Sequence, residues 1–250
     1  MNKMDFFNTF DQPYPYKGLL LHPVKLEQIY EFYFLSSCLV LEKNSSRNIA
    51  HITMSYLGYM YEMSDETNNY ILLFDSLMRL VLKKKDIKTD YGYDSDKNPY
   101  FSIDGVRYNS KDFNEIKLII SSQNDLELPD ERIQKEVRDK IEEARRYKAG
   151  MNGGKTCSLE EQILSLSIYT GWTPDYIKNM TIRKFTKAIR RADHILSSTI
   201  YLEASLSGMV EFKDKSVIKH WLAEIGSGKN DDVTVDLSSV QDKVNFSDAM

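Results

Sequence analysis

Four histidines, two cysteines and one lysine-bearing glycine stretch are the residues of this chain whose types and spacing bear most directly on chemistry. His22, His51, His194 and His220 are scattered over its 250 residues. No two stand in HxxxH or HExxH spacing, which would set both imidazoles on one helix face around a zinc ion. Cys38 and Cys157 lie far apart and form no CxxC pair, so neither a zinc site nor a redox dithiol is expected. Residues 150–156, GMNGGKT, approach the phosphate loop G-x-x-x-x-G-K-[ST], in which backbone N–H groups cradle phosphates. The motif needs glycine at position 149, where this chain has Ala149. It also needs a buried strand before the loop, and the preceding residues read as a charged helix. The stretch reads as a linker. No GxSxG or Cys–His pattern is present. No metal, no nucleotide or other cofactor and no catalytic activity is expected.

The residues left are suited to binding. Arg183, Lys187, Arg190, Arg191 and His194 are spaced to share one helical face, and residues 183–191 hold five basic side chains and no acidic one. Such a face suits phosphates, a solvated surface or an acidic partner. The segment has no Asn or Gln to read bases, and the whole chain is acidic, with a formal charge of -4. Nucleic acid is therefore not the expected partner. A second group is aromatic: Tyr30, Phe32, Tyr33, Phe34, Tyr56, Tyr59 and Tyr61 are too many for the buried faces of their helices. Some belong to the core. The rest offer large area with a polar tip, as interfaces use, and Tyr56 and Tyr59 are taken as interface candidates.

Composition limits the elements that must position these groups. A hydrophobic share of 42% supports a core, and only 11 Gly and 6 Pro disfavour an all-β sandwich. The start, MNKMDFFNTF, lacks the apolar run of a signal peptide. No apolar run approaches the roughly 20 residues of a membrane span. These features lead to an expected place in the cytoplasm of the cell or host cell.

The spacing of apolar residues predicts an extended segment over 17–24 and helices from residue 25, over 49–64 and over 67–85. Residues 86–99 read as a loop. Asp104-Gly105, between two alternating runs, predicts a hairpin at about 100–108. A helix from about 111 to 124 follows, then a long charged helix from Pro129 to Tyr147. Ser158 to Glu161 reads as a capping box opening a helix that stops at Gly171. Thr173-Pro174 opens a short helix. Thr181 opens a longer one, through about Leu206, with an apolar stripe of Ile182, Phe185, Ile189, Ala192, Leu196 and Ile200. A short strand at 210–212 and a helix at 216–225 complete the pattern. The last 25 residues, with five Asp and two Lys, read as a flexible acidic tail. The fold class is mainly α: many helices, a short N-terminal extended segment and one small hairpin. The parts are 1–90, a helical N-terminal part; 100–148, the hairpin with the charged helix; 157–225, a helical C-terminal part; and the tail, 226–250.

Tyr169 to Phe185, YTGWTPDYIKNMTIRKF, resembles a pattern of the tail assembly chaperones of tailed bacteriophages. There a helix ends at Gly, an aromatic or apolar residue follows, and Ser/Thr-Pro opens a short helix. A second Thr opens the next helix, with a basic residue and an aromatic. The matching positions are Gly171, Trp172, Thr173, Pro174, Ile177, Met180, Thr181, Arg183 and Phe185. The stretch covers a small part of the chain, which is also longer than most such chaperones. The middle hairpin and charged helix have no counterpart in them. The resemblance implies a non-enzymatic cytoplasmic helper of phage tail morphogenesis. It would keep the tape-measure protein soluble and recruit tail-tube subunits, with self-association possible. Trp172, Tyr176, Arg183, Lys187, Arg190 and Arg191, together with Tyr56 and Tyr59, are the expected protein-binding residues. The alternatives are a structural component of the phage particle and a helix-turn-helix-like regulator using the helix from residue 181.

Overall fold

The computed structural model describes residues 3–43, 48–64, 69–129, 157–208 and 218–223, with 137, 139–141, 143–144, 210, 212 and 225 as single positions or short pieces. Most of the charged helix expected after Pro129, all of the GMNGGKT stretch and the acidic tail lie outside the described residues. The chain divides into two compact units. The first is Met1–Ile133 with Leu159–Ile189, the second Gln134–Ser158 with Arg190–Met250.

In the first unit, helix α1 (Lys3–Thr9) leads into a tight hairpin of β1 (Tyr14–Tyr16) and β2 (Leu19–Leu21). Tyr16 faces Leu19, so Lys17-Gly18 is the whole loop. Both loop residues have positive φ, 42° and 85°, the type I′ geometry whose twist matches the strands. The extended segment expected at 17–24 is therefore the second arm of a hairpin, with its turn at the residues where the segment was expected to begin. Next comes α2 (Ile29–Leu35), between 3-10 turns at Leu26–Gln28 and Ser36–Leu39.

The helix expected over 49–64 is two helices, α3 (Ile49–Thr53) and α4 (Tyr56–Glu62). Ser55 takes an extended backbone, and its hydroxyl accepts from the Gly58 N–H at 3.2 Å. That cap starts a new helix where the old one would have continued. Helix α5 (Tyr70–Leu82) starts on the side chain of Asn69 and stops where Lys83 turns left-handed.

Residues 89–93, expected as loop, form β3 (Thr89–Tyr93), which pairs with β4 (Pro99–Ile103). Asp94 closes the connection by accepting from the N–H groups of Asp96 and Asn98. Strand β4 pairs in turn with β5 (Val106–Asn109) across Asp104-Gly105, as the sequence predicts. The φ values there, 50° and 82°, again give a type I′ turn. The described residues thus hold a two-stranded and a three-stranded sheet, which is more β structure than the single hairpin expected. The chain is nonetheless mainly helical.

Helix α6 (Ser110–Asn124) opens with a full capping box: Asn109 accepts from Lys111 and Asp112, and the Asp112 carboxylate accepts from the Asn109 N–H. The same carboxylate receives Tyr16 Oη at 2.7 Å and Lys17 Nζ at 2.5 Å. One side chain therefore caps α6 and ties the first hairpin to it. Around these elements a single core forms from Leu21, Phe32, Leu57, Phe74, Phe101 and Phe113 with their neighbours. Phe74 sits 5.2 Å from Phe101, edge to face, and 5.0 Å from Phe113. Each such ring contributes roughly 2–3 kcal/mol by burial. Residues from both sides of the 86–99 segment, up to Leu128, contribute to this core.

After residue 158 come α7 (Leu159–Thr170), α8 (Pro174–Lys178) and α9 (Ile182–Leu206). Gly171 and Gly208 have positive φ, as helix stops require. Ile182 and Phe185 are buried, whereas Leu196 and Ile200, further along the expected stripe, are exposed.

In the second unit, residues 218–223 make a turn where a helix was expected over 216–225. Their carbonyls are taken by side chains of α9 and do not build a helical ladder. Ser198 Oγ donates to Lys219 at 2.7 Å, and Arg191 Nη1 reaches the carbonyls of Trp221 and Ala223 at 3.0 Å each. His194 Nε2 lies 3.0 Å from the His220 carbonyl. Val210 and Phe212 are not in a strand.

Candidate functional site

The α7–α8 turn puts large apolar side chains at the surface of the first unit and holds them there. Its backbone is over-determined by local bonds. The Gly171 N–H reaches the Ser167 carbonyl at 2.8 Å, and Ser167 Oγ donates to the Trp172 carbonyl at 2.7 Å. Thr173 then caps α8 by accepting from the Tyr176 N–H at 3.2 Å, with Pro174 in the first turn, as the sequence predicts. Ile177 is fully buried and anchors α8, so the preceding Tyr176 points outward with 51% of its surface exposed. The rings of Trp172 and Tyr176 meet edge to face at 5.5 Å. On the last turns of α7, Leu164, Ile168 and Tyr169 are exposed, Ile168 at 84%. A rigid surface holding exposed aromatic and aliphatic groups is what a protein partner needs.

Beside that turn the chain closes a long-range backbone link. Leu26 N–H donates to the Met180 carbonyl at 2.8 Å and Ile182 N–H to the Val24 carbonyl at 3.0 Å. Lys25 and Thr181 form the bridge between them. Thr181 opens α9 by accepting from the Lys184 N–H, and its hydroxyl donates to Asp11 at 2.8 Å. These bonds frame a cleft of about 280 Å3 whose walls include Asp11, His22, Lys25, Lys83, Tyr176 and Lys184. That volume suits one or two side chains and falls short of a drug-sized ligand pocket. Lys25 Nζ bonds Asn179 Oδ1 at 2.9 Å, and Lys184 Nζ lies 3.4 Å from Asp11. The imidazole of His22 is held below its ordinary range, first by burial and then by the positive charge of Lys83.

The other expected binding residues fare differently. Tyr56 and Tyr59 are buried and are therefore corrected from interface to core. The Tyr56 hydroxyl accepts from the Leu41 N–H at 2.6 Å, and its ring stacks on Phe113 with Lys117 Nζ 3.3 Å from the ring centre. Tyr59 Oη donates to the Glu42 carbonyl. Among the neighbouring aromatics, Tyr30, Tyr33 and Phe34 are the exposed ones.

The basic residues of α9 do not form one open face. Arg183 donates to the Asn8 carbonyl at 3.3 Å in the first unit. Arg191 serves the turn at 221–223 in the second. Lys187 and Arg190 are exposed and have interactions of their own.

Of the chemistry-bearing residues, Cys38 is buried and its thiol is pushed well above the ordinary range by that burial. His51 pairs with Glu62 at 3.1 Å. Among the described residues no group of three or more His, Cys, Asp or Glu is placed to hold a metal ion, and no helix is long and apolar enough to cross a membrane. Sequence reasoning named Trp172 and Tyr176 but not the cleft, whose walls come from segments up to 173 positions apart, Asp11 to Lys184.

No curated protein and no solved structure matches the chain significantly. Residues 151–226, which include the aromatic turn, match the family model described as the YomV second domain.

Proposed function

We propose that this chain is a non-enzymatic protein-binding factor of a bacteriophage, working in tail assembly. In this role it keeps the tape-measure protein soluble and recruits tail-tube subunits. The observation that carries the binding role is the braced α7–α8 turn, which holds Trp172 and Tyr176 against each other at the surface beside exposed Ile168 and Tyr169. The phage setting is supported by the match of residues 151–226 to the YomV second domain, a phage-associated domain. The tail-specific role rests on the resemblance of residues 169–185 to tail assembly chaperones. A long amphipathic protein exposes apolar stripes until the tube encloses it, and a surface of this kind covers such a stripe. A nucleic-acid role has less support, because Arg183 and Arg191 already serve backbone carbonyls of this chain.

Co-expression with a tape-measure fragment tests the proposal. The fragment is expected to stay soluble with the wild-type chain and to precipitate with a Trp172→Ala, Tyr176→Ala double variant. Both side chains are largely outside the core, so circular dichroism should show the variant folded. A fragment equally soluble with both proteins, or with neither, would count against the aromatic turn as the binding surface.

A further inference from the structure

Resting on that protein-binding reading, we infer that the cleft beside the aromatic turn selects an acidic partner: an apolar-faced segment seats its aliphatic or aromatic side chains on Trp172 and Tyr176 and one or two carboxylates among Lys25, Lys83 and Lys184. Tyr176 joins the two halves of this surface, since it contacts Trp172 on one side and lines the cleft on the other. Three ammonium groups face the cleft against one lining carboxylate, Asp11. Asp11 is already engaged by Thr181 and Lys184. Lys25 leans on Asn179, a neutral acceptor, with Glu27 at 3.7 Å. Lys83 has no ion pair among the described residues and is exposed. The cleft thus carries a surplus of positive charge in a recess sized for side chains. An incoming carboxylate meets charge-assisted donors without first breaking an internal pair at Lys83.

The same geometry favours a protein over a nucleic acid. Leu164 and Ile168 extend the apolar surface with aliphatic groups, which offer no flat face for a base. The rings of Trp172 and Tyr176 stand at 65° to each other, whereas successive bases stack on parallel platforms. Complementary charge of this kind sets partner choice and register, while the apolar anchors supply most of the affinity.

The experiment measures binding of three labelled helical peptides to the full chain by fluorescence anisotropy. All share one leucine-rich face; the flanking positions carry Glu, Gln or Lys. The wild-type chain is expected to bind the Glu peptide about tenfold more tightly than the Gln peptide and the Lys peptide least. Lys83→Glu should erase the Glu preference and improve binding of the Lys peptide. Trp172→Ala should weaken all three. Equal binding of Glu and Gln peptides, unchanged in Lys83→Glu, would overturn the charge selection and leave the protein-binding surface standing. No binding of any peptide would overturn the proposed seat itself, with the co-expression experiment deciding the broader reading separately. Tighter binding of a single-stranded oligonucleotide than of the Glu peptide, lost in Lys83→Glu, would overturn the inference in favour of nucleic acid.

Discussion

His22 reports the electrostatics of the cleft. Its imidazole is held below the usual range by burial and by Lys83, so it is neutral near pH 7. A lowered histidine pKa means that the unfolded chain takes up a proton more readily than the folded one. Stability is therefore full at neutral pH and falls as the pH drops below about 6.5, the unfolded value. Replacing Lys83 with Met removes the second cause and leaves burial in place. The His22 titration, followed by NMR, is expected to move upward toward 6.5 in Lys83→Met without reaching it. An unchanged midpoint would mean that the ammonium is too well screened to act on the ring. That outcome would also weaken its case as a charge-selecting group.

At the scale of elements, Asp112 joins a helix to a hairpin. Burial opposes its charge, but the bonds from Lys17, Tyr16 and the Asn109 N–H outweigh that and hold its carboxyl below the ordinary range. Lys17 is itself well exposed, so water screens its share of the tie. Asp112→Ala removes the carboxylate half of the capping box, leaving the Asn109 side-chain cap in place, and strands the Tyr16 hydroxyl, at an expected cost of about 2–3 kcal/mol in denaturant unfolding. For a carboxyl lowered on folding, the stability it gives is present above about pH 4 and is lost as the pH falls through the folded value. The gap between wild type and variant should therefore be constant above about pH 5 and narrow below pH 4. A gap that stays constant down to pH 2 would show that the lost contribution is packing and not charge.

Which elements could be read from sequence follows from where their signals lie. Asp104-Gly105 announces its hairpin because both residues tolerate positive φ and both flanks alternate. Lys17-Gly18 makes the same turn with a lysine in the left-handed position, and no local rule points to lysine there. Strand β3 is hidden in the sequence by Asp90 and Gly92, loop-like residues that only the pairing with β4 turns into a strand. Thr173-Pro174 and Thr181 marked the starts of α8 and α9 correctly because a cap is a contact between near neighbours. The turn at 218–223 could not be read, since its carbonyl partners sit on α9, some twenty to thirty positions earlier in the chain.

At the scale of the whole molecule the same distinction governs the site. Trp172 and Tyr176 are four positions apart and both are among the expected binding residues, but their ring contact is a finding of the structure. Asp11, His22, Lys25 and Lys83 reach Tyr176 and Lys184 only through tertiary folding, and Tyr56 and Tyr59 were misplaced because helical spacing alone does not say which face the core takes. The segment matched to the YomV second domain begins at residue 151, yet Met180 and Ile182 within it bond the backbone at Val24 and Leu26. An isolated fragment of residues 151–226 is therefore expected to leave its residues 177–189 poorly protected from amide exchange. Adding a fragment of residues 1–133 should restore protection there. Full protection in the isolated fragment would show that the backbone link contributes little.

The bridge of Lys25 to Thr181 also sets a clock on biosynthesis. At about 5–20 residues per second, a ribosome needs roughly 8–31 s to travel the 156 positions between them. Through that interval the nascent chain holds the Val24–Leu26 backbone without its native cover, with N–H and C=O groups open to any extended peptide nearby. Slowing translation between residues 133 and 181 lengthens this vulnerable window, and synonymous codon choice in that stretch becomes a lever on the yield of folded protein.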